Sequence, residues 1–458
     1  MVNRQVRRSS TSRRAFLGTA GTIALTPLAP WIIPSAALGA DGTIAPSNRI
    51  TLGFIGVGFM GQNHHLSRFV EYPEAQVLAV CDVDRWRREH GQRIVETAYA
   101  GQRASGVYRG CAGYNDLREL LSRDDIDAVV IATGDRWHGA ATVMAAQAGK
   151  DVYVEKPMSL TIAEGRAMVE AVRRYGRVCQ VGLQQRSATE FQLACRLVRE
   201  GALGKIERIH VVMPGVSREV DLPAEPVPEG LDWDLWLGPA PWRPFNRRFH
   251  QYGEPKGVVP WNLCRDFGGG LLTSNDVHAF DVVQWALGMD HAGPVDIVPP
   301  ETGEYPSLTY RYPSGVLVHV VEGRLDPKKH VIPKGWDPIT SIQNFGAVFV
   351  GERGWIHVGR SGYLTSFPSE LAANGPGRYD RFVALQNHHR DWLDAIATRR
   401  RPACDAAIGC QSTIVAHLGC IASWTGRALK WDPAQEQFLG DDEANRMLGR
   451  SMREPWRV

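Results

Sequence analysis

The first half of the sequence predicts an α/β fold of the Rossmann type, and two observations lead to this prediction. A buried strand over 49–55 is followed at once by Gly56-Val57-Gly58-Phe59-Met60-Gly61 and a helical segment, which places G-x-G-x-x-G in the context that dinucleotide binding requires. Apolar strand segments then alternate with helical segments as far as Gly182. Such alternation is typical of a parallel sheet that is covered by helices on both faces.

The glycine motif gives each of its glycines a role. Gly56 makes the tight turn, and Gly58 lets the backbone approach a pyrophosphate at the positive end of the following helix. Gly61 lets that helix pack closely on the strand. Phe59 and Met60 lie between these glycines, and we expect them to contact the same ligand.

The predicted cofactor is NAD or NADP, and an acidic residue favours NAD. A second strand over 77–81 ends at Asp82, which lies 21 residues after Gly61. A carboxylate at that point accepts a hydrogen bond from a ribose 2′-hydroxyl and repels a 2′-phosphate. Three arginines follow closely: Arg85, Arg87 and Arg88. They either weaken the preference for NAD or form a solvated helix face, and the solvated face is the favoured interpretation.

Polar residues follow three of the later strands. In parallel sheets the carboxyl ends of the strands meet at one edge, and ligands lie beyond that edge. We therefore expect one crevice to be lined by these groups: Thr133, Asp135, Trp137 and His138; Glu155-Lys156-Pro157; and Gln184-Gln185-Arg186.

The first forty residues predict an export signal. Arg13-Arg14-Ala15-Phe16-Leu17 is followed by an apolar stretch to Leu38 that ends in small residues, an order that resembles a twin-arginine signal peptide. The expected location is therefore the periplasm, or another compartment reached through the twin-arginine export machinery. A membrane anchor is the alternative, and three prolines in the apolar stretch count against it: Pro27, Pro30 and Pro34.

Charge and spacing exclude two other classes of function. The formal net charge is +3, but residues 1–40 hold five arginines and no acid, so the remainder carries 47 basic against 49 acidic side chains. That balance gives no electrostatic case for a nucleic-acid partner. No metal site is predicted, because the eight cysteines include no C-x-x-C pair and the histidine pairs 64–65 and 388–389 are adjacent in sequence.

Four stretches together resemble the glucose–fructose oxidoreductase/inositol dehydrogenase (Gfo/Idh/MocA) family. They are the glycine motif with 132–138, then Glu155-Lys156-Pro157, then 268–281, and an ending with 387–393 and 431–433. The resemblance covers roughly residues 49–458. It implies a Rossmann domain followed by an α+β domain whose large, mostly antiparallel sheet carries the substrate face and commonly pairs subunits into a homo-oligomer.

The expected domains follow from this resemblance. They are a twin-arginine signal peptide (1–40), an NAD(P)-binding Rossmann domain (49–183), a substrate-binding and oligomerisation domain (184–445) and a C-terminal tail (446–458). Beyond the glycine motif and Asp82, we expect five further residues to contact the cofactor: Thr133, Trp137, His138, Glu155 and Lys156.

The predicted catalytic residues are Lys156, His278 and Asp276. A lysine stabilises the alkoxide that develops during hydride transfer from an alcohol, and a histidine carries the proton. The family has Asp four residues before the catalytic His, whereas Ser274 stands there in this sequence and the nearest acid is Asp276. The role of Asp276 therefore stays open. We expect the substrate to contact Lys156, Arg186 and Asp281.

The predicted function is an NAD(P)-dependent oxidoreductase that acts on a hydroxyl of a carbohydrate, cyclitol or glycoside and retains its cofactor tightly. One alternative is a redox-neutral enzyme of the same fold that cleaves a glycoside and returns the hydride to its product. The other is a nucleotide-binding protein without turnover. An aromatic segment over 231–249 suits sugar faces, and equally suits a core or a subunit interface.

Overall fold

The computed structural model describes residues 44–45, 48–254, 260–380 and 382–458. The chain divides into two compact units, residues 1–48 and 49–458, and both sheets belong to the second unit. The export signal expected over 1–40 lies outside the described residues.

The first sheet has six parallel strands in the order β3-β2-β1-β4-β5-β6. Its strands are β1 (Ile50–Ile55), β2 (Ala75–Cys81), β3 (Ala112–Tyr114), β4 (Ala128–Ile131), β5 (Asp151–Val154) and β6 (Cys179–Val181). All four residues of β4 and of β5 are buried, as expected for strands that are covered on both faces. The strand order reverses between β1 and β4, and ligands of such sheets bind at that reversal.

Helices connect these strands in alternation. A π-helical turn, Gly61–Leu66, follows the glycine motif. The others are α1 (Ser67–Phe69), α2 (Arg85–Ala98), α3 (Ala100–Ala104), α4 (Leu117–Leu121), α5 (Asp135–Gln147), α6 (Ile162–Arg174), a 3₁₀ turn (Gln184–Ser187) and α7 (Thr189–Arg199). Side chains at the N-caps accept backbone hydrogen bonds at Asp84 for α2 and Thr161 for α6, so the sequence itself sets where these helices begin.

The second sheet has nine strands in the order β13-β12-β11-β7-β10-β9-β8-β14-β15. Among its pairings in the described residues, β7 with β10 is parallel and the others are antiparallel. The strands are β7 (Ile206–Val212), β8 (Asp296–Val298), β9 (Thr309–Arg311), β10 (Leu317–Val321), β11 (Ala347–Gly351), β12 (Gly354–Gly359), β13 (Tyr363–Phe367), β14 (Leu429–Asp432) and β15 (Gln437–Phe438). The predicted fold class is thereby confirmed.

The helices of this second half are α8 (Trp233–Leu237), α9 (Leu271–Ser274), α10 (Val277–Ala286), α11 (Val383–Thr398), α12 (Ala406–Thr425) and α13 (Asp442–Arg446). Short 3₁₀ turns are Pro260–Leu263, Pro300–Thr302 and Ser369–Ala372. Among the described helices, α12 is long and apolar enough to cross a membrane, but 83% of that stretch is buried inside the protein. It is therefore a core helix, and it packs against α6 and α10.

Late parts of the chain return to the first sheet. Trp392 and Leu393 of α11 belong to the same hydrophobic core as β1 and β2. The Val181 amide donates to the Cys404 carbonyl, and Gln180 donates to the carbonyl of His388. Residues beyond 380 thus help to build the Rossmann half, while the domain limits drawn from the sequence stay a prediction.

Candidate active site

The glycine motif forms a turn in which two glycines are required by packing and one is open. Gly56 has φ +85°, and a Cβ there would lie 2.8 Å from the carbonyl carbon of Ala132. A Cβ on Gly61 would lie 2.3 Å from the Gly56 oxygen. For Gly58 the nearest atom to such a Cβ is Arg87 Nη1 at 3.4 Å, an ordinary contact. The space beside Gly58 therefore fits the close approach of a pyrophosphate.

Asp82 lies at the end of β2, where the sequence places it, and holds the glycine turn. The Val57 amide donates to Asp82 Oδ2 at 2.9 Å, and the Asp84 amide donates to Oδ1 at 2.9 Å. Burial raises the pKa of Asp82, although the Arg87 charge opposes that shift. Each oxygen keeps a second lone pair, so the carboxylate can still accept from a ribose hydroxyl.

A cleft of about 1090 Å³ opens over this turn. Seven of the predicted cofactor contacts line it: Gly56, Gly58, Phe59, Met60, Asp82, Thr133 and Trp137. Its far wall comes from the aromatic segment and the residues that follow it, namely Trp236, Phe249, His250 and Trp261. The residues present thus fit a dinucleotide.

The other predicted cofactor contacts lie behind or beside this cleft. Gly61 is packed under the turn, as described above. His138 is 1% exposed, and its ring bonds the carbonyls of Pro157 at 2.7 Å and Thr133 at 3.3 Å. It therefore ties β4 to the segment after β5. Glu155 and Lys156 belong to the neighbouring group described next, and contact of all four with the cofactor stays a prediction.

Lys156 contacts Ser274, the residue at which this sequence departs from the family pattern. Its Nζ donates to the carbonyl oxygen of Ser274 at 2.7 Å. Burial lowers the pKa of Lys156 and the Arg360 charge adds to that effect, whereas Glu155 and Asp135 oppose it. A lowered pKa makes the neutral amine, which can accept a proton, more accessible.

His278 lies at the start of α10 and is 1% exposed. In the amide orientation that satisfies both ends of Gln185, the Gln185 nitrogen donates to His278 Nδ1 at 2.7 Å. Burial holds the pKa of His278 well below its usual value, and the charges of Arg360 and Lys156 lower it further. The ring is therefore neutral with its proton on Nε2, which leaves Nε2 as the donor.

Arg360 joins this group although sequence reasoning did not select it. The residue follows β12, and its guanidinium lies 3.9 Å from the centre of the Phe345 ring. In the satisfied amide orientations it donates to the side-chain oxygens of Gln184 and Gln185, each at 3.2 Å. Gln184 and Gln185 were visible in the sequence as polar residues after a strand, whereas Arg360 lies far along the chain on a turn without any motif.

A second pocket adjoins these groups. It encloses about 570 Å³, and both glutamines and Arg360 line it together with His64, Glu190, Phe382 and neighbouring apolar residues. The Glu190 carboxylate accepts from the Gly362 amide at 3.2 Å and from the Tyr379 hydroxyl. Neither Lys156 nor His278 lines this pocket. It is the candidate substrate site because its Gln185 bonds His278 and the charge of its Arg360 acts on both Lys156 and His278.

Two predicted substrate contacts form a buried ion pair instead of lining the pocket. Arg186 Nη2 lies 2.8 Å from Asp281 Oδ1 and 2.6 Å from Asp290 Oδ1. Ser412 donates to Asp281 at 2.7 Å. This network fastens α10, and hence His278, to α12 and to the turn after β6. Direct contact of Arg186 and Asp281 with substrate stays a prediction.

The structure does not bring Asp276 together with Lys156 and His278. Both of its carboxylate oxygens are buried and lack a hydrogen-bond partner among the described residues, and burial raises its pKa well above the usual value. Glu155 and Asp135 are instead the acids whose charges act on Lys156. Burial raises the pKa of Asp135 to about 7, although the Lys156 and Arg136 charges oppose that shift. A catalytic role for Asp276 stays a prediction.

Two family profiles match most of the chain. One, described as an oxidoreductase family with an NAD-binding Rossmann fold, matches residues 50–183. The other, described as the C-terminal alpha/beta domain of the same oxidoreductase family, matches 215–330 and 359–458. The chain belongs to the Gfo/Idh/MocA oxidoreductase family. Among the described residues, no group of three or more His, Cys, Asp or Glu side chains is arranged to hold a metal ion.

Curated relatives carry names from glycoside hydrolysis. A glycosyl hydrolase family 109 protein of Shewanella baltica is 32% identical over 209 residues, which is 42% of this chain and 44% of that protein. An alpha-N-acetylgalactosaminidase of Shewanella oneidensis matches with the same identity and the same coverage. The match thus spans less than half the length of these relatives.

Solved structures of similar fold carry names from sugar oxidation. The aldose-aldose oxidoreductase of Caulobacter crescentus, complexed with glycerol, matches 83% of this chain and 99% of its own with TM-score 0.54 and 18% identity. A levoglucosan dehydrogenase in complex with NADH and levoglucosan matches the same shares with TM-score 0.55 and 17% identity. At these identities the likeness establishes the fold.

Proposed function

We propose that the protein is an NAD(P)-dependent oxidoreductase that acts on a hydroxyl of a sugar, cyclitol or glycoside. One observation carries the proposal: the buried lysine Lys156 and the neutral histidine His278 lie behind the pocket that Gln185 and Arg360 line, because Gln185 bonds His278 and the Arg360 charge acts on both residues. The sugar dehydrogenase among the similar structures supports the same class of substrate.

Lys156 and His278 have different roles, which follow from their charge states. The nicotinamide ring, when bound, supplies the hydride acceptor. Lys156 approaches the substrate hydroxyl as a donor that stabilises negative charge on oxygen, and its lowered pKa lets it alternate between amine and ammonium. Neutral His278 donates from Nε2 and orients the hydroxyl, while Gln185 fixes its tautomer.

We propose NAD rather than NADP as the cofactor. The Asp82 carboxylate would repel a 2′-phosphate, and the neighbouring arginines have partners within the protein. Arg87 donates to the carbonyls of Gln251 and Gly253, at 2.7 and 3.0 Å. Arg88 donates to the carbonyl of Asp82 and to Asn115. Titrations with both nucleotides should give a lower Kd for NAD, and equal Kd values would contradict the assignment.

A redox-neutral glycoside cleavage is the second candidate. The glycosyl hydrolase names of the curated relatives favour it. So does the position of Asp135, a buried acid beside Lys156 whose pKa of about 7 suits both donation and acceptance of a proton. In this version the hydride returns to the product and the cofactor shows no net reduction.

We further propose that the exported protein leaves the cytoplasm through the twin-arginine machinery with its cofactor already bound. The wall over the cleft is fastened to the Rossmann half, because His250 Nε2 lies 3.0 Å from Asp84 Oδ2 and Arg87 bonds Gln251 and Gly253. These contacts support slow release of the nucleotide. We also propose a homo-oligomer, and light scattering on the purified protein measures its mass.

One experiment separates these possibilities. Protein isolated from the periplasm is dialysed, and half is denatured to assay released nucleotide, while the rest is offered free sugars, cyclitols and chromogenic glycosides. Stoichiometric nucleotide and a substrate-dependent rise in absorbance at 340 nm support the oxidoreductase. Glycoside cleavage without net reduction supports the second candidate. Bound nucleotide without either reaction would favour a nucleotide-binding protein without turnover. If no nucleotide is released and activity depends on added NAD, the proposal of a retained cofactor is wrong.

A further inference from the structure

A line of buried hydrogen bonds leads away from Glu155, the residue before Lys156. Glu155 Oε1 lies 3.1 Å from His65 Nε2, and His65 Nδ1 lies 2.9 Å from His389 Nε2. His389 Nδ1 in turn lies 3.2 Å from the hydroxyl of Tyr72. Both histidines are 0% exposed and Tyr72 is 5% exposed. The π-helical turn after the glycine motif, helix α11 and the turn before β2 thus meet in one continuous chain.

With His65 neutral, the protons of this hydrogen-bonded chain have one consistent arrangement. Burial alone would raise the pKa of Glu155, but the hydrogen bond from His65, the charge that His65 carries when protonated and the charge of Lys156 lower it to about 2. The carboxylate therefore only accepts. His65 must therefore donate from Nε2 and accept at Nδ1 from His389 Nε2–H. His389, whose pKa burial holds well below its usual value, is neutral and accepts at Nδ1 from the Tyr72 hydroxyl. Every O–H or N–H donor in this hydrogen-bonded chain points toward Glu155.

The outer end of the chain lies in a surface turn. Tyr72 stands between exposed Glu71 and Pro73 in the turn between α1 and β2. Burial raises its pKa to about 12, and the charges of Arg390 and Arg68 oppose that shift. The Arg390 guanidinium lies 5.3 Å from the centre of the tyrosine ring. Both arginine charges favour the ionised form of the tyrosine.

Two other polar side chains pack against the chain without joining it. His388 bonds the Ser187 hydroxyl at 2.8 Å and the Val181 carbonyl at 2.9 Å, so both of its ring nitrogens are used elsewhere. The Tyr153 hydroxyl is buried and has no hydrogen-bond partner among the described residues. Protons that enter at Tyr72 therefore have one hydrogen-bonded path inward.

We propose that Tyr72, His389 and His65 form a proton relay between solvent and Glu155 beside the catalytic lysine. In one passage the Tyr72 proton moves to His389 Nδ1, the Nε2 proton of His389 moves to His65 Nδ1, and the Nε2 proton of His65 moves to Glu155. Glu155 becomes a neutral acid and Tyr72 a phenolate, a state that their pKa values of about 2 and about 12 make short-lived. The phenolate takes a proton from water, so protons and charge balance. The relay rests on the proposed function, in which oxidation and reduction of a hydroxyl each exchange a proton.

The first test needs no turnover. In protein labelled with ¹⁵N-histidine, exchange of the imidazole N–H protons of His65 and His389 with water is measured by saturation transfer. Tyr72→Phe should slow this exchange by about 10²-fold or more, the lower end of the range for the loss of one proton-transfer group. Tyr108→Phe is the matched control, because Tyr108 is also buried in this core but donates to the Val77 carbonyl instead. Equal exchange in wild type and Tyr72→Phe would overturn the relay.

The second test follows turnover. A pH indicator and the absorbance at 340 nm are recorded together during a single turnover in weak buffer. Tyr72→Phe should delay proton exchange behind hydride transfer while nucleotide affinity stays unchanged, and added imidazole should restore the rate. Synchronous signals in the variant would contradict the relay. If no substrate reduces the nucleotide in wild type, the proposed function fails, and the exchange rates still decide the relay.

Discussion

Replacing Gly58 by alanine is expected to weaken nucleotide binding without unfolding the protein. The new Cβ would meet Arg87 Nη1 at 3.4 Å and no closer atom, so the fold can accept it. The same Cβ projects into the space that fits the pyrophosphate. Displacing the phosphate from one charge-assisted hydrogen bond costs about 1.5–3 kcal/mol. At 1.4 kcal/mol for each factor of ten, the Kd for NAD should rise about 10- to 150-fold.

The neighbouring glycine supplies the contrast. A Cβ on Gly61 would lie 2.3 Å from the Gly56 oxygen, so Gly61→Ala should lower the free energy of unfolding by about 1–3 kcal/mol, the usual cost of overpacking. Gly101→Ala, at a glycine with no atom within 4 Å of the added Cβ, is the neutral control. Calorimetry with NAD and thermal unfolding are measured on all three variants. An unchanged Kd in folded Gly58→Ala would refute the assignment of this turn to the pyrophosphate.

Four further predictions concern the catalytic group and its supports. Lys156→Met and His278→Phe should each lower turnover by about 10²-fold or more with nucleotide binding retained, and near-normal kcat in either would remove that residue from the mechanism. Asp135→Asn should lower kcat more than Asp276→Asn, because the Asp135 charge acts on Lys156, and the reverse order would return the role to Asp276. The pKa of Glu155 is lowered to about 2 in the folded state, so the stability that it contributes is present above its usual pKa near 4.5 and is lost as pH falls toward 2. Glu155→Gln should therefore flatten the dependence of the free energy of unfolding on pH in that range. An unchanged slope would contradict the lowered pKa. Arg186→Met leaves Asp281 buried without its cation and should cost about 3–5 kcal/mol in urea unfolding, whereas a loss below 1 kcal/mol, the range of exposed pairs, would show that the pair is solvated.

Local sequence determined the Rossmann half because its signals are short-range. The turn that Gly56, Gly58 and Gly61 form is set by backbone freedom at neighbouring positions, and the apolar runs of β4 and β5 announce strands that are covered on both faces. Asp82 was found for the same reason, since the strand that carries it fixes where its carboxylate points. The near side of the cleft, which carries the glycine turn and Asp82, could therefore be predicted from residues 49–137 alone, whereas its far wall could not.

Local sequence did not predict the role of the aromatic segment over 231–249. Its residues suited a sugar face, a core or an interface equally well, because an aromatic ring buries area in any of them. In the structure Trp233 and Trp236 stack with ring centres 4.4 Å apart in a small core. Trp236 also joins Phe249 and His250 as the far wall of the cleft. That choice depends on Asp84 and Arg87, which hold the wall from the other half of the chain.

The sequence by itself determined the fold class, the glycine turn, Asp82 and the pairing of a lysine motif with a later histidine. Only the tertiary structure decided that the charge of Asp135 acts on Lys156 beside that of Glu155, whereas both oxygens of Asp276 are buried without a hydrogen-bond partner among the described residues. It also decided the place of Arg360 and of the chain from Tyr72 to Glu155. Those contacts join residues that are far apart in the sequence. The packing of separate helices and turns brings them within hydrogen-bond distance, and local sequence periodicity does not predict that packing.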